Sequence, residues 1–254
     1  GLGDVYKRQT LRKPPDISPL RIVHLFELDK GIPCAQGSIR PIVRLFNTAS
    51  ERQSSSHCPP LGQTSGVIDT VSFEIRRLTP PEFSLLAPQL VEIHIEAMNY
   101  NPAIVHSRIS SWRRDLTRPG FSAQIATQDD GIVGVSYGFL GSPDSWWDAE
   151  LRRGLRLQGG PTEEQWDIVR NYYELAEIHV LPQYQGHGLG KKLLEGLLWN
   201  APARYALLST PEVPNEDNGA FRLYRSAGFF DVLRNHLYPA DARPFAILGA
   251  RLPL

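Results

Sequence analysis

The chain has 254 residues, and its 27 basic side chains balance 27 acidic ones. Nothing in that balance suggests a surface that holds nucleic acid or an anionic membrane. Two cysteines are too few for a disulfide framework, no apolar run is long enough to span a bilayer and no signal peptide opens the chain, so a cytoplasmic protein is expected.

Residues 1–71 show little periodicity. Asp4-Val5-Tyr6-Lys7-Arg8-Gln9 resembles a translated sequencing adapter, so residues 1–9 read as an assembly scar. Residues 10–71 mix Pro, Ser, Gln and Arg and hold both Cys34 and Cys58, which reads as an unstructured N-terminal extension. From Ser72 the pattern changes, and residues 72–254 are long enough for one domain with its own core. Residues 72–78 alternate as a first strand. Thr79-Pro80-Pro81-Glu82 then supplies an N-cap threonine, a proline at the first helical position and a glutamate three after the cap. The helix that follows puts Phe83, Leu86, Leu90, Ile93 and Ala97 on one face, with a kink expected at Pro88. A second helix after Asn101-Pro102 carries Val105, Ile109, Trp112 and Leu116 on one stripe.

Residues 121–127 and 132–140 flank Asp129-Asp130-Gly131 and read as a hairpin. Residues 142–173 form a polar insert, helical in parts, that holds Trp146, Trp147, Trp166, Tyr172 and Tyr173. After residues 174–199, residues 204–210 read as a strand and 220–227 as a helix closed by Gly228. Residues 229–233 and 245–252 finish as strands. The order βααββ-insert-βαβαββ defines an α+β class, a mixed central sheet flanked by helices on both faces.

Residues 174–199 form the most ordered stretch. Leu175, Ile178 and Val180 supply the content of a buried strand, and Pro182 ends it. Leu189, Leu193 and Leu197 recur at helical spacing, with Leu194 and Leu198 beside them. Between the two lie Gly186, Gly188 and Gly190. The first amides of a helix lack intrahelical partners and carry the positive end of its dipole. Glycines let an anion approach them closely, so this turn is a candidate phosphate cradle. A dinucleotide fingerprint starting at Gly186 needs glycine where Lys191 stands. A phosphate loop ending at Gly190-Lys191 needs glycine where Gln185 stands and Ser or Thr where Lys192 stands. Both spacings fail.

Gln185-x-x-Gly188-x-Gly190, directly after a strand ending Val180-x-Pro182, resembles the acetyl-CoA pyrophosphate loop of the GNAT superfamily of N-acetyltransferases. Ala220, Leu223, Tyr224, Gly228 and Phe229 fall in register with a second motif of that superfamily. Asp217 stands where that motif has asparagine, and Asn218 comes one residue late. The resemblance covers most of residues 72–254. It implies the GNAT fold and transfer of an acetyl group from acetyl-CoA to a primary amine of a small molecule or peptide, directly in a ternary complex and without a metal.

By the same resemblance, the pantetheine arm would pair with the backbone of Ile178, His179 and Val180, one of whose amides would polarise the thioester carbonyl. Gln185, Gly186, His187, Gly188, Leu189 and Gly190, with Lys191, would hold the pyrophosphate, and Asn218 and Tyr224 would complete the cofactor contacts. A general base must take the proton of the amine, and Glu174, Glu177 and His179 are the candidates. Strict alternation puts Glu174 and Glu177 on opposite faces of their strand, whereas a bulge would alter that. Tyr224 is the candidate acid for the departing thiolate, with packing beside the sulfur as its other possible role. The aromatic residues of the insert either line an acceptor pocket or fasten the insert to the domain. His24, His57, His94, His106 and His236 show no metal-ligand spacing. An acyl-CoA-binding sensor or structural module without turnover is the alternative from another class, and a monomer or homodimer suits either.

Overall fold

The computed structural model describes residues 72–239 and 241–254, so the adapter-like start and the extension expected over residues 1–71 lie outside the described residues. Seven strands here form one sheet: β1 (Phe73–Leu78), β2 (Ser122–Gln128), β3 (Gly131–Leu140), β4 (Tyr172–Val180), β5 (Tyr205–Pro211), β6 (Phe230–Leu237) and β7 (Pro244–Arg251). They stand in the order β1-β2-β3-β4-β5-β7-β6. The contact between β4 and β5 is parallel, and the other neighbours are antiparallel. Six helices pack on this sheet: α1 (Pro80–Met98), α2 (Val105–Asp115), α3 (Trp146–Leu157), α4 (Glu163–Arg170), α5 (Leu189–Leu198) and α6 (Gly219–Ser226). The mixed sheet with helices on both faces is the architecture the sequence predicts. Among the described residues, no helix is long and apolar enough to cross a membrane.

Local chemistry explains where the helices begin. The Thr79 hydroxyl accepts the Glu82 amide, and the Glu82 carboxylate accepts the Thr79 amide at 2.8 Å. These bonds and Arg76, also at 2.8 Å, hold the Glu82 carboxyl well below its usual range, at about 2. Helix α1 runs on through Pro88 to Met98 and ends on Asn99, whose φ of 50° is left-handed. Thr162 and Gln165 open α4 with the same reciprocal pair of bonds.

Leucines of α5 join Ala220, Phe221 and Tyr224 of α6 in one core on one face of the sheet. On the other face, α1 and α2 cover β2 and β3. Beside them, α3 and α4 cover Tyr205, Leu207 and the β6–β7 pair. Strand β4 runs under the junction of these two groups.

One irregularity in β4 positions everything that follows. Tyr137 pairs with Glu177, but Gly138 pairs with Leu175, so Ala176 is an extra residue. The bulge resets the alternation, and Tyr173, Leu175, Ile178 and Val180 all pack toward α5 and α6. Glu174, Glu177 and His179 therefore share the opposite face, where strict alternation would have split the glutamates. Gly138 makes room for this, because a Cβ there would collide with the Glu174 carbonyl and the Tyr173 ring.

The parallel ladder between β4 and β5 is short. It joins Tyr172 to Tyr205, Tyr173 to Ala206 and Glu174 to Leu207, and ends there. Two boundaries differ from the sequence reading. Strand β4 begins at Tyr172, because the two tyrosines make the first of these pairs. Strand β6 runs on to Leu237, past register shifts and the left-handed Asn235 (φ 53°) that break its alternation.

Candidate active site

Strand β4 brings two carboxylates and an imidazole to one buried face, and the helices above it add to them. Glu174 and Glu177 line a cavity together with Asp115 at the end of α2, Tyr137 of β3, Trp147 of α3 and Ser209 of β5. It has room for about one water molecule. Tyr137 Oη donates to Asp115 Oδ2 at 3.1 Å, and the Arg118 guanidinium lies 3.5 Å from the other Asp115 oxygen. Three carboxyl groups and two aromatic rings thus face one narrow space, where a cationic group would be attracted.

Deeper in, Glu177 Oε2 lies 2.7 Å from His179 Nε2, which in turn lies 2.9 Å from His94 Nδ1 of α1. His94 Nδ1 is 3.6 Å from the same Glu177 oxygen. Both rings are buried and are walled by Trp112, which lies parallel to His179 at 6.4 Å and edge-on to His94 at 5.6 Å. The donor atoms of His94, Glu177 and His179 all lie within 4.8 Å of one another, so these are residues on which a metal ion could close. Ligand atoms on one tetrahedral zinc stand ~3.3 Å apart, however, given bonds of about 2.0–2.1 Å. Contacts of 2.7 and 2.9 Å are hydrogen-bond distances instead.

At the other end of β4 the chain makes a short turn and enters α5. Gln185 Nε2 donates to the Val180 carbonyl at 2.9 Å, which ties the turn to the end of the strand. Gly186 and Gly188 have φ of 81° and 76°, and a Cβ at either would meet open space. Glycine is required here by backbone conformation, not by a close neighbour. The N-cap of α5 is Gly188, with no side-chain cap, so its first amides face the open space above the turn. His187 is exposed beside Phe73, and Lys191 sits in an exposed pair with Glu195 at 3.7 Å.

Helix α6 carries the remaining residues of interest. Asn218 is its N-cap, and its Oδ1 accepts the Phe221 amide at 2.8 Å. Asp217 is mostly exposed and pairs with Arg222. Tyr224 is fully buried, and its hydroxyl has no hydrogen-bond partner among the described residues. Burial, reinforced by the negative charge of Glu177, pushes its phenol well above the ordinary value.

The structure gathers Glu174, Glu177 and His179 on one face and places Tyr224 on the other side of β4, within the electrostatic reach of Glu177. The insert's aromatic residues divide. Trp147 lines the cavity, whereas Trp166 lies on the surface between the Arg152 and Arg170 guanidiniums. Tyr172 donates to Asp148 at 3.1 Å, and so fastens the insert to β4. Sequence reasoning missed His94 and Asp115. The available signal for His94 was a polar residue four positions after Leu90, on the apolar stripe of α1.

Residues 124–230 match the family model described as the acetyltransferase (GNAT) domain. The chain belongs to the GNAT acetyltransferase family. The GCN5-like protein acetyltransferase Rv2170 of Mycobacterium tuberculosis is 33% identical over 199 residues, which cover 70% of this chain and 97% of that protein. A shorter match, 43% identical over 67 residues, joins 26% of this chain to 40% of the N-alpha-acetyltransferase RimI of the same organism. Among solved structures, a GNAT-family acetyltransferase from Streptococcus pneumoniae is 15% identical with a TM-score of 0.46, over 71% of this chain and 100% of that one.

Proposed function

We propose that the chain is an N-acetyltransferase that moves an acetyl group from acetyl-CoA directly to a primary amine of a peptide or small molecule. The observation that carries this reading is the early end of the β4–β5 ladder at Glu174, three residues before Glu177, whose charge reaches Tyr224. Three features fit acetyl-CoA. Beyond Glu174, the β5 side of Ile178, His179 and Val180 has no ladder with β5, and an extended arm could take up its hydrogen bonds. The uncapped start of α5, at Gly186, His187, Gly188, Leu189 and Gly190, suits a pyrophosphate. The buried Tyr224 hydroxyl lacks a partner among the described residues, and the sulfur end of the arm would supply one. Gln185 fixes the turn, Lys191 is exposed in the first turn of α5, and Asn218 caps α6, whose Leu223 lies against Gly190.

Bound acetyl-CoA supplies the activated acyl group, and the protein manages position and protons. Asp115 and Glu174 draw in a cationic amine, between the rings of Tyr137 and Trp147. Glu177 takes the amine proton. Tyr224 stays protonated at neutral pH and holds a proton for the departing sulfur. The acid-lined cavity supports a cationic acceptor, and the name of the relative Rv2170, a protein acetyltransferase, favours a peptide or protein amine.

The test is direct. The melting temperature should rise with acetyl-CoA and with CoA, and not with NAD or ATP. Incubation with acetyl-CoA and lysine peptides, free N-terminal peptides and alkylamines should release CoA thiol and add one acetyl group to an amine. A folded protein that no CoA species stabilises would overturn the reading.

Tyr224→Phe gives a result of two signs. Turnover should fall about 100-fold, the lower end for loss of a positioned acid. Stability to urea should rise by about 1 kcal/mol, because a buried hydroxyl without a partner costs ~1–3 kcal/mol. A destabilised variant would show that the hydroxyl is bonded in the unliganded protein.

A further inference from the structure

We propose that the cleft between the start of β2 and the end of α5 is a binding site for a small organic carboxylate with a compact apolar body. It is separate from the site assigned to acetyl-CoA. Helix α5, ten residues and about 15 Å long, runs from the turn at Gly188 to this cleft. The cleft has a volume of about 190 Å³, space for about six water molecules at ~30 Å³ each. Phe121, Leu197 and Pro202 give it apolar walls, and Arg77, Ser122 and Tyr173 bring polar groups.

The sheet is built to deliver the Tyr173 phenol to this cleft. On β3, Gly138 leaves the ring free to lie across the strand, since a Cβ there would come within 2.5 Å of Tyr173 Cε1. Gly138 pairs with Ser122, so the ring reaches the strand whose first residue lines the cleft. Tyr173 is 1% exposed, yet its hydroxyl has no hydrogen-bond partner among the described residues. A buried hydroxyl in that state is costly, and a ligand oxygen would relieve it. Burial pushes the phenol up, while the Arg77 guanidinium and the Ser122 amide oppose that shift, so positive potential meets at its oxygen.

Charge selects an anion. Among the described residues that line the cleft, Arg77 is the charged one, and it makes no ion pair with any of the described residues. Its bond to the Gly196 carbonyl is long, at 3.4 Å. A guanidinium offers two parallel N–H groups that match the two oxygens of a carboxylate, and Tyr173 adds a third donor. Phosphate would set its oxygens against Phe121 and Leu197, whereas an apolar body suits those walls. The acid-lined cavity on the other face of β4 would repel the same ligand.

The test follows backbone amide shifts of the full chain by NMR, with benzoate as the probe and benzyl alcohol and inorganic phosphate as controls. Benzoate should shift the amides of Ser122, Tyr173 and Leu197 and bind about tenfold or more tightly than either control. Arg77→Met keeps an apolar stem and loses the charge, and Tyr173→Phe loses only the hydroxyl. Each should weaken benzoate about tenfold. Equal affinity for benzoate and benzyl alcohol would overturn the carboxylate assignment, as would unchanged binding in Arg77→Met. Absence of shifts at the cleft, or shifts confined to residues 186–190, would overturn the site, and either is readable in the wild type even if a variant fails to fold. A peptide end presents the same group, so binding of acetyl-Ala-Ala-Phe without binding of benzoate would overturn the assignment to a free small acid. None of these outcomes depends on whether acetyl-CoA stabilises the protein, so the two sites stand or fall separately.

Discussion

Glu177→Gln should lower kcat by about 10²–10³-fold while acetyl-CoA still raises the melting temperature as in the wild type. The amide is nearly isosteric and its oxygen still accepts from His179 Nε2, so the 2.7 Å contact and the packing around it survive. The capacity to take a proton is lost. Glu177 lies in a cavity with Asp115 and Glu174, so neutralising it also relieves repulsion among three carboxyl groups. The variant should therefore be no less stable than the wild type by thermal melting. Glu174→Gln should act differently, raising KM for a cationic amine more than it lowers kcat. Steady-state thiol release with both variants separates the two glutamates. If Glu174→Gln loses kcat and Glu177→Gln does not, the base is Glu174.

Deleting Ala176 should abolish acetyl-CoA binding in a protein that still folds cooperatively. Ala176 is the extra residue of the β4 bulge, so its removal restores regular pairing with β3. The faces are unaffected, because Leu175, Ile178 and Val180 then alternate without a break and Glu177 and His179 stay beside Glu174. What changes is the path of the strand. A bulge bends its strand, and beyond this one β4 no longer pairs with β5. A straight β4 would continue the ladder past Glu174 and Leu207 and close the gap assigned to the pantetheine arm. Thermal shift with acetyl-CoA should fall to zero, and amides of residues 177–180 should become more protected from hydrogen exchange. Ala176→Gly, which keeps the bulge, is the control and should bind. A deletion variant that still binds acetyl-CoA would show that the gap does not depend on the bulge.

The strand, turn and helix around Gly186, Gly188 and Gly190 were legible because apolar periodicity and glycine spacing are local signals. The same holds for the Thr79–Glu82 cap and the Asp129-Asp130-Gly131 hairpin. The placement of Glu174 and Glu177 was not legible, since nothing within residues 172–180 announces which residue is extra. The structural reason lies on the neighbouring strand, where Gly138 alone tolerates the Glu174 carbonyl. His94 and Asp115 were missed for a similar reason. They meet Glu177 only once α1 and α2 have folded across β4, a contact that no spacing encodes. The insert illustrates the same limit, since Trp147 and Trp166 look alike in sequence and end up in the cavity wall and on the surface.

The short β4–β5 ladder also bears on how long the protein lasts. The sheet is two antiparallel ladders, β1 to β4 and β5 to β6, joined by three residue pairs. A sheet joined so briefly has a weak seam, and unliganded chains should open along it before they unfold elsewhere. With acetyl-CoA seated in the seam at a hundred times its Kd, the native state gains ~2.7 kcal/mol. Proteases act on the opened form, so the half-life of the protein in a cell would follow the combined supply of CoA and its thioesters that fill the seam.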